Sequence, residues 1–132
     1  MPQLLLNIDV PALDPAIAFY TEALGLTLAR RWGDDIAELA GAPVPFYLLA
    51  KPPGSATASS TRSYDRHWTP IHPDFAVPDL DTARARALRA GATQEGATHD
   101  APYGRQAFLA DPFGHGFCLI QFNDRGYDAL PG

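Results

Sequence analysis

The chain has 132 residues, 10 Lys and Arg against 15 Asp and Glu, a formal net charge of -5 and a single cysteine. That length suits one domain with a real hydrophobic core, and the acidity excludes the basic stripe that nucleic-acid binding requires. The lone Cys118 excludes an internal disulfide and agrees with a reducing compartment. No apolar run approaches the roughly 20 residues of a membrane helix, and no charged N-terminal region precedes a signal-type apolar core, so a cytoplasmic location without a membrane partner is expected.

In chain order, Gln3 to Val10 predicts a strand with Leu4, Leu6, Ile8 and Val10 on one face and Leu5, Asn7 and Asp9 on the other. Asp14-Pro15 reads as an N-cap followed by proline at the first helical position. Leu13, Ile17, Tyr20 and Leu24 then recur at helical spacing until Gly25 stops the helix. Three strands follow over 26–31, 36–39 and 44–49. Residues 51–70 interrupt the pattern: Pro52-Pro53-Gly54 and the small polar run to Ser60 cannot build a core, whereas 62–68 is richer in aromatic and charged groups and suits a segment that orders over a ligand or partner. The opening pattern then returns. Val10-Pro11-Ala12-Leu13-Asp14 reappears as Val77-Pro78-Asp79-Leu80-Asp81, 67 residues on. A strand over 71–77, a helix capped by Asp81 and stopped by Gly91, and strands over 92–95, 105–110 and 116–122 complete the second copy. Asp111-Pro112-Phe113-Gly114 forms the last turn, in which Asp111 can bond its own backbone.

The Val-Pro strand ends, the segment Ala18-Phe19-Tyr20-Thr21-Glu22-Ala23-Leu24-Gly25-Leu26 and the closing Asp-Pro-Phe-Gly turn together resemble the vicinal-oxygen-chelate superfamily, which includes glyoxalase I, extradiol dioxygenases and bleomycin-resistance proteins. The resemblance spans roughly residues 3 to 122. It implies an α+β fold in which two βαβββ repeats pair their sheets into a cup-shaped mixed sheet, often completed by a homodimer. Here it implies a single domain over 1–132, made of modules 3–50 and 70–123 joined by a linker over 51–69. In the superfamily's enzymes a divalent metal is held by up to four His or Glu side chains from the first and last strands of each repeat. Those positions correspond here to Leu5, a residue in 46–48 best matched by Tyr47, His72 and Cys118. Only His72 is an ordinary metal ligand, so the metal site reads as degenerate and no cofactor is expected.

The ligand-binding candidates are His72, Asp74, Asn7, Tyr47, Trp68, Tyr103, Arg105 and Cys118. His72 reads as a cavity histidine bonded to Asp74 or water, as a ligand-binding or acid-base group, or, if a metal site exists, as a ligand. Asp74 matches Asn7 across the repeat, and both need polar partners if they face inward. Cys118 reads as a buried filler or a reactive thiol. Trp32, Tyr47, Trp68, Tyr103 and Phe108 can stack on a flat ligand, and Arg105 can steer an anion. His67, His99 and His115 fall in loops or turns. The expected function is metal-independent binding of a small organic molecule, an antibiotic or metabolite. The alternative is a lyase, isomerase or dioxygenase of the same superfamily using His72 as metal ligand or general base.

Overall fold

Asp79 starts the second helix. In the computed structural model, which describes residues 1–132, its carboxylate accepts from the Asp81 backbone N–H (3.2 Å) and the Thr82 hydroxyl (2.7 Å), satisfying a donor that the first turn leaves free. Asp81, expected as the cap, instead lies inside the first turn, where its carboxylate meets Arg105 and Arg84. Asp14 is likewise not a cap: the first helix is entered from Ala12 with no side-chain cap, and Asp14 bonds Arg31 at 2.6 Å. Both aspartates stand two residues past the cap position, because Leu13 and Leu80 already stand in their helices with their side chains buried. Asp79→Ala is therefore expected to cost about 1 kcal/mol of stability in urea unfolding, whereas Asp14→Ala and Asp81→Ala, which lose only exposed ion pairs, should cost markedly less.

The chain divides into two compact units, Met1–Asp65 and Arg66–Gly132. The first contains β1 (Leu6–Val10), α1 (Leu13–Leu24), β2 (Thr27–Trp32), β3 (Ile36–Ala40) and β4 (Phe46–Ala50). Its sheet has the order β1-β4-β3-β2, with β1 parallel to β4 and the other pairs antiparallel. Ile8, Val10, Ala37, Leu39, Phe46 and Leu48 are buried from alternate positions of β1, β3 and β4, and α1 covers that face with Ala16, Phe19 and Tyr20. Residues 3–5, expected in the first strand, precede it, since main-chain pairing begins at Leu6. The stretch 51–65 carries a small hairpin, β5 (Ala56–Thr57) and β6 (Ser60–Thr61). It has no core of its own and is held by polar bonds: Arg62 to Asp9 (2.7 Å) and the Tyr64 hydroxyl to the Lys51 carbonyl (2.8 Å).

The second unit repeats the plan with β7 (Asp74–Ala76), α2 (Leu80–Ala90), β8 (Thr93–Gln94), β9 (His99–Ala101), β10 (Gly104–Ala110) and β11 (Gly116–Phe122). The order is β7-β11-β10-β8, with β7 parallel to β11 and β9 also paired with β10. β8, expected over 92–95, and β9, not expected from the sequence, line the same edge of β10 at opposite ends. His99 accordingly lies in a strand, paired with Gln106, not in a loop. His72 lies before β7 rather than within it, because Pro73 lacks the N–H a ladder needs. Leu88 is 40% exposed, leaving Leu80 and Ala87 as the buried residues of α2. After β11, a 3₁₀ turn over Gly126–Ala129 places Tyr127 edge-on to Tyr103 and Phe122. No helix is long and apolar enough to cross a membrane.

Candidate functional site

The face of the first sheet opposite α1 is built by alternation. Side chains that do not point at the helix form two cross-strand rows, Asn7–Tyr47–Glu38–Arg30 and Asp9–Leu49–Ile36–Trp32. Neither row is covered by a helix, and between them lies an open groove of about 380 Å³ lined by Asn7, Trp32, Asp35, Ile36, Tyr47 and Leu49. Its walls are aromatic and aliphatic. The charges beside it are arranged at its margin: Arg30 holds Glu38 through two bonds (2.6 and 3.3 Å) and stacks 4.8 Å above the Trp32 ring. The Arg30 hydrogen bond, aided by one from Tyr47, keeps the Glu38 carboxyl below the usual carboxylate range.

The second unit presents the equivalent face differently. Asp74, Cys118 and Phe108 form the row that corresponds to Asn7, Tyr47 and Glu38. The parallel register therefore identifies Tyr47 as the counterpart of Cys118, since Asn7 opposes Tyr47 as Asp74 opposes Cys118. Cys118 is fully buried. Burial, with the Asp74 carboxylate beside it, pushes its thiol up to about 12, so it stays protonated at neutral pH and donates to Asp74, while Gln106 bonds it from the other side. The Tyr103 hydroxyl in turn donates to Gln106 Oε1 (2.8 Å), and Asp74 Oδ1 lies 3.3 Å from His72 Nε2. Tyr103, Gln106, Cys118, Asp74 and His72 thus form one continuous chain of polar contacts.

A strap over residues 66–68 lies on this face. The Trp68 ring meets Phe108 and His72 edge-on at 5.6 and 5.7 Å, and it covers Gly116 so closely that an added Cβ there would lie 2.6 Å from the ring. Arg66 anchors the strap, binding both oxygens of Glu95 at 2.6 Å and standing 4.7 Å from the Trp68 ring centroid. That hydrogen bond holds the Glu95 carboxyl below its ordinary value. A depressed carboxyl contributes its stabilisation above its unfolded pKa and loses it as pH falls through the depressed value. In a Trp32→Phe background, Trp68 fluorescence should therefore be constant near neutrality and change below about pH 4. A flat trace down to the global acid transition would show that Arg66–Glu95 does not hold the strap.

Of the predicted site residues, the structure brings His72, Asp74, Cys118, Trp68 and Tyr103 into one connected cluster in the second unit, and pairs Asn7 with Tyr47 in the first. Arg105 is engaged by Asp81 (3.1 and 3.2 Å), with Asp100 at 3.8 Å, which leaves it little free charge for an anion. Tyr103 packs against Phe122 and Tyr127. Gln106, Glu38, Asp35, Ile36 and Leu49 were not anticipated. The match of Phe46-Tyr47-Leu48-Leu49 to Phe117-Cys118-Leu119-Ile120 is a signal in the sequence that could have found Leu49.

The metal positions implied by the resemblance fit poorly. Leu5 has no donor atom, and the Tyr47 hydroxyl is bonded to Glu38. His72, Asp74 and Cys118 do place three potential donor atoms within 4.8 Å of one another, but a metal there would have to displace a proton from a thiol that burial holds on. No buried side-chain nitrogen or oxygen is left without a hydrogen-bond partner, so no orphaned donor points to an absent ion. The set falls short of the three or more N and O ligands that Mn²⁺, Fe²⁺ or Ni²⁺ requires.

Comparison with known proteins agrees with this architecture. A family model described as a glyoxalase-like domain matches residues 6–120. An anthracycline biosynthesis protein of Streptomyces peucetius, DnrV, is 33% identical over 116 residues, covering 86% of this chain but only 38% of its own length. Among solved structures, the fosfomycin resistance protein FosX of Listeria monocytogenes superposes with a TM-score of 0.71 at 15% identity, over 95% of this chain and 96% of that one. A glyoxalase/bleomycin resistance protein/dioxygenase family enzyme of Burkholderia phytofirmans gives 0.69 at 20% identity, over 89% and 96%.

Proposed function

Because the chain belongs to the glyoxalase-like family of the vicinal-oxygen-chelate superfamily, we propose that it binds a flat, largely apolar organic molecule, an antibiotic or metabolite, without a metal, on the open face of its first sheet. The observation that carries this reading is the contrast between the two equivalent faces. One is an uncovered groove walled by Trp32, Tyr47, Ile36 and Leu49. The other is partly filled by the protein's own Trp68, and its polar groups bond one another. A groove of this size holds a small polycyclic ligand, and aromatic walls favour a planar one. The likeness of the chain to an anthracycline biosynthesis protein supports a polycyclic aromatic ligand.

The test uses 9-anthracenemethanol, a neutral planar probe, followed by fluorescence. Trp32→Ala and Tyr47→Ala should each weaken binding about five- to tenfold, with cooperative unfolding retained because both residues are partly solvent-exposed. Binding that is indifferent to both changes would place the ligand elsewhere and end the proposal.

A second reading, an enzyme of the same superfamily, is favoured by the 3.3 Å approach of Asp74 to His72, which suits an oriented general base. In that case His72→Ala abolishes turnover while leaving probe binding intact.

A further inference from the structure

We infer that the ligand of the first-unit groove carries a cationic group and that Asp35 reads it; this rests on the groove being the binding face. Arginines hold four acids of the first unit. Asp9 is held by Arg62 at 2.7 Å, Glu38 by Arg30 at 2.6 Å, and Asp14 and Asp34 by Arg31 at 2.6 and 3.0 Å. Asp35 lines the groove, and its carboxylate has neither an ion pair nor a hydrogen bond. Its backbone, by contrast, is fixed at both ends: its N–H donates to the Trp32 carbonyl (3.1 Å) and its own carbonyl accepts from the Ala50 N–H (2.8 Å). The turn between β2 and β3 is thereby tied to β4, and Asp35, an acid with no basic partner, stands at the lining of an apolar, aromatic groove.

Three further observations agree on the sign of the ligand. Trp32 already carries a cation on its ring, the Arg30 guanidinium at 4.8 Å, so the electron-rich indole is used for a positive charge within this same site. Arg30 itself does not offer an anion a free partner, because Glu38 holds it through two bonds. The formal charge of -5 adds a long-range attraction in the same sense. The occupant that satisfies all of these is a planar aromatic molecule bearing an ammonium or amidinium group.

The experiment compares proflavine, a planar cation, with neutral 9-anthracenemethanol on wild type, Asp35→Asn, Asp34→Asn and Trp32→Ala. Asp34 is the control for overall charge, being adjacent but already paired with Arg31 and outside the groove lining. Asp35→Asn should weaken proflavine about fivefold at low salt and leave the neutral probe unchanged, while Asp34→Asn should change neither. Raising NaCl to about 0.5 M should weaken proflavine on wild type and hardly at all on Asp35→Asn. Equal losses of proflavine from both aspartate variants, or none from Asp35→Asn while Trp32→Ala still releases the neutral probe, would overturn the cationic assignment and leave the groove intact. Failure of both probes to respond to Trp32→Ala would overturn the groove as well.

Discussion

Asp111→Ala is expected to lower the stability of the protein by about 3 kcal/mol, the cost of losing three hydrogen bonds to one buried carboxylate and stranding their half-buried donors. The Asp111 side chain is fully buried. One oxygen accepts from the backbone N–H of Phe113 (2.8 Å) and of His115 (2.9 Å), and the other lies 2.8 Å from His115 Nδ1. The Asp-Pro-Phe-Gly turn is thus wound around one carboxylate, and it sets the register of β10 against β11. Asp111→Asn keeps an oxygen for the two backbone donors and should cost less than half as much. Urea denaturation with an unchanged m-value checks both; equal, small effects would mean that the turn holds itself.

Gly104→Ala is the second large effect, expected at about 2–4 kcal/mol. Gly104 opens β10 at φ +146°, and a methyl group there would lie 2.0 Å from the Gln121 carbonyl oxygen and 2.9 Å from the Phe122 Cα. These are backbone atoms of the paired strand, so no side-chain rotation relieves the clash. The end of the β10–β11 ladder must open, and with it the neighbouring Gln106 loses its alignment to Tyr103 and Cys118. Thermal unfolding measures the loss. A variant as stable as wild type would show that this corner yields easily.

The internal repeat, the two helices and the last strand were legible because each is a local pattern: periodicity, a glycine stop, and a Val-Pro strand end copied 67 residues on. β11 follows the expected bounds at both ends. The helix caps were misread because Asp14 and Asp81 look like caps in a propensity sense, while the position of the cap depends on where the buried leucine enters the helix. His72 was placed within a strand because alternation does not register that Pro73 cannot pair. Tyr47 was identified as the partner position of Cys118, and the parallel pairing of β1 with β4 accounts for it. The open groove was not legible. In the second unit the equivalent face carries Trp68 over Gly116, and this rests on Arg66 gripping Glu95, 29 residues away, a contact that no local pattern announces. Asp35 escaped for a related reason: its significance lies in lacking an arginine, and only the structure shows which acids the arginines have taken.

The most direct test of the central claim is a calorimetric titration of the EDTA-treated, dialysed protein with 9-anthracenemethanol, repeated after adding Mn²⁺, Fe²⁺, Ni²⁺ and Zn²⁺ in turn. The groove predicts the same affinity in every case, weakened by Trp32→Ala and unaffected by His72→Ala. Binding that appears only when a metal is returned, and that His72→Ala abolishes, would contradict it.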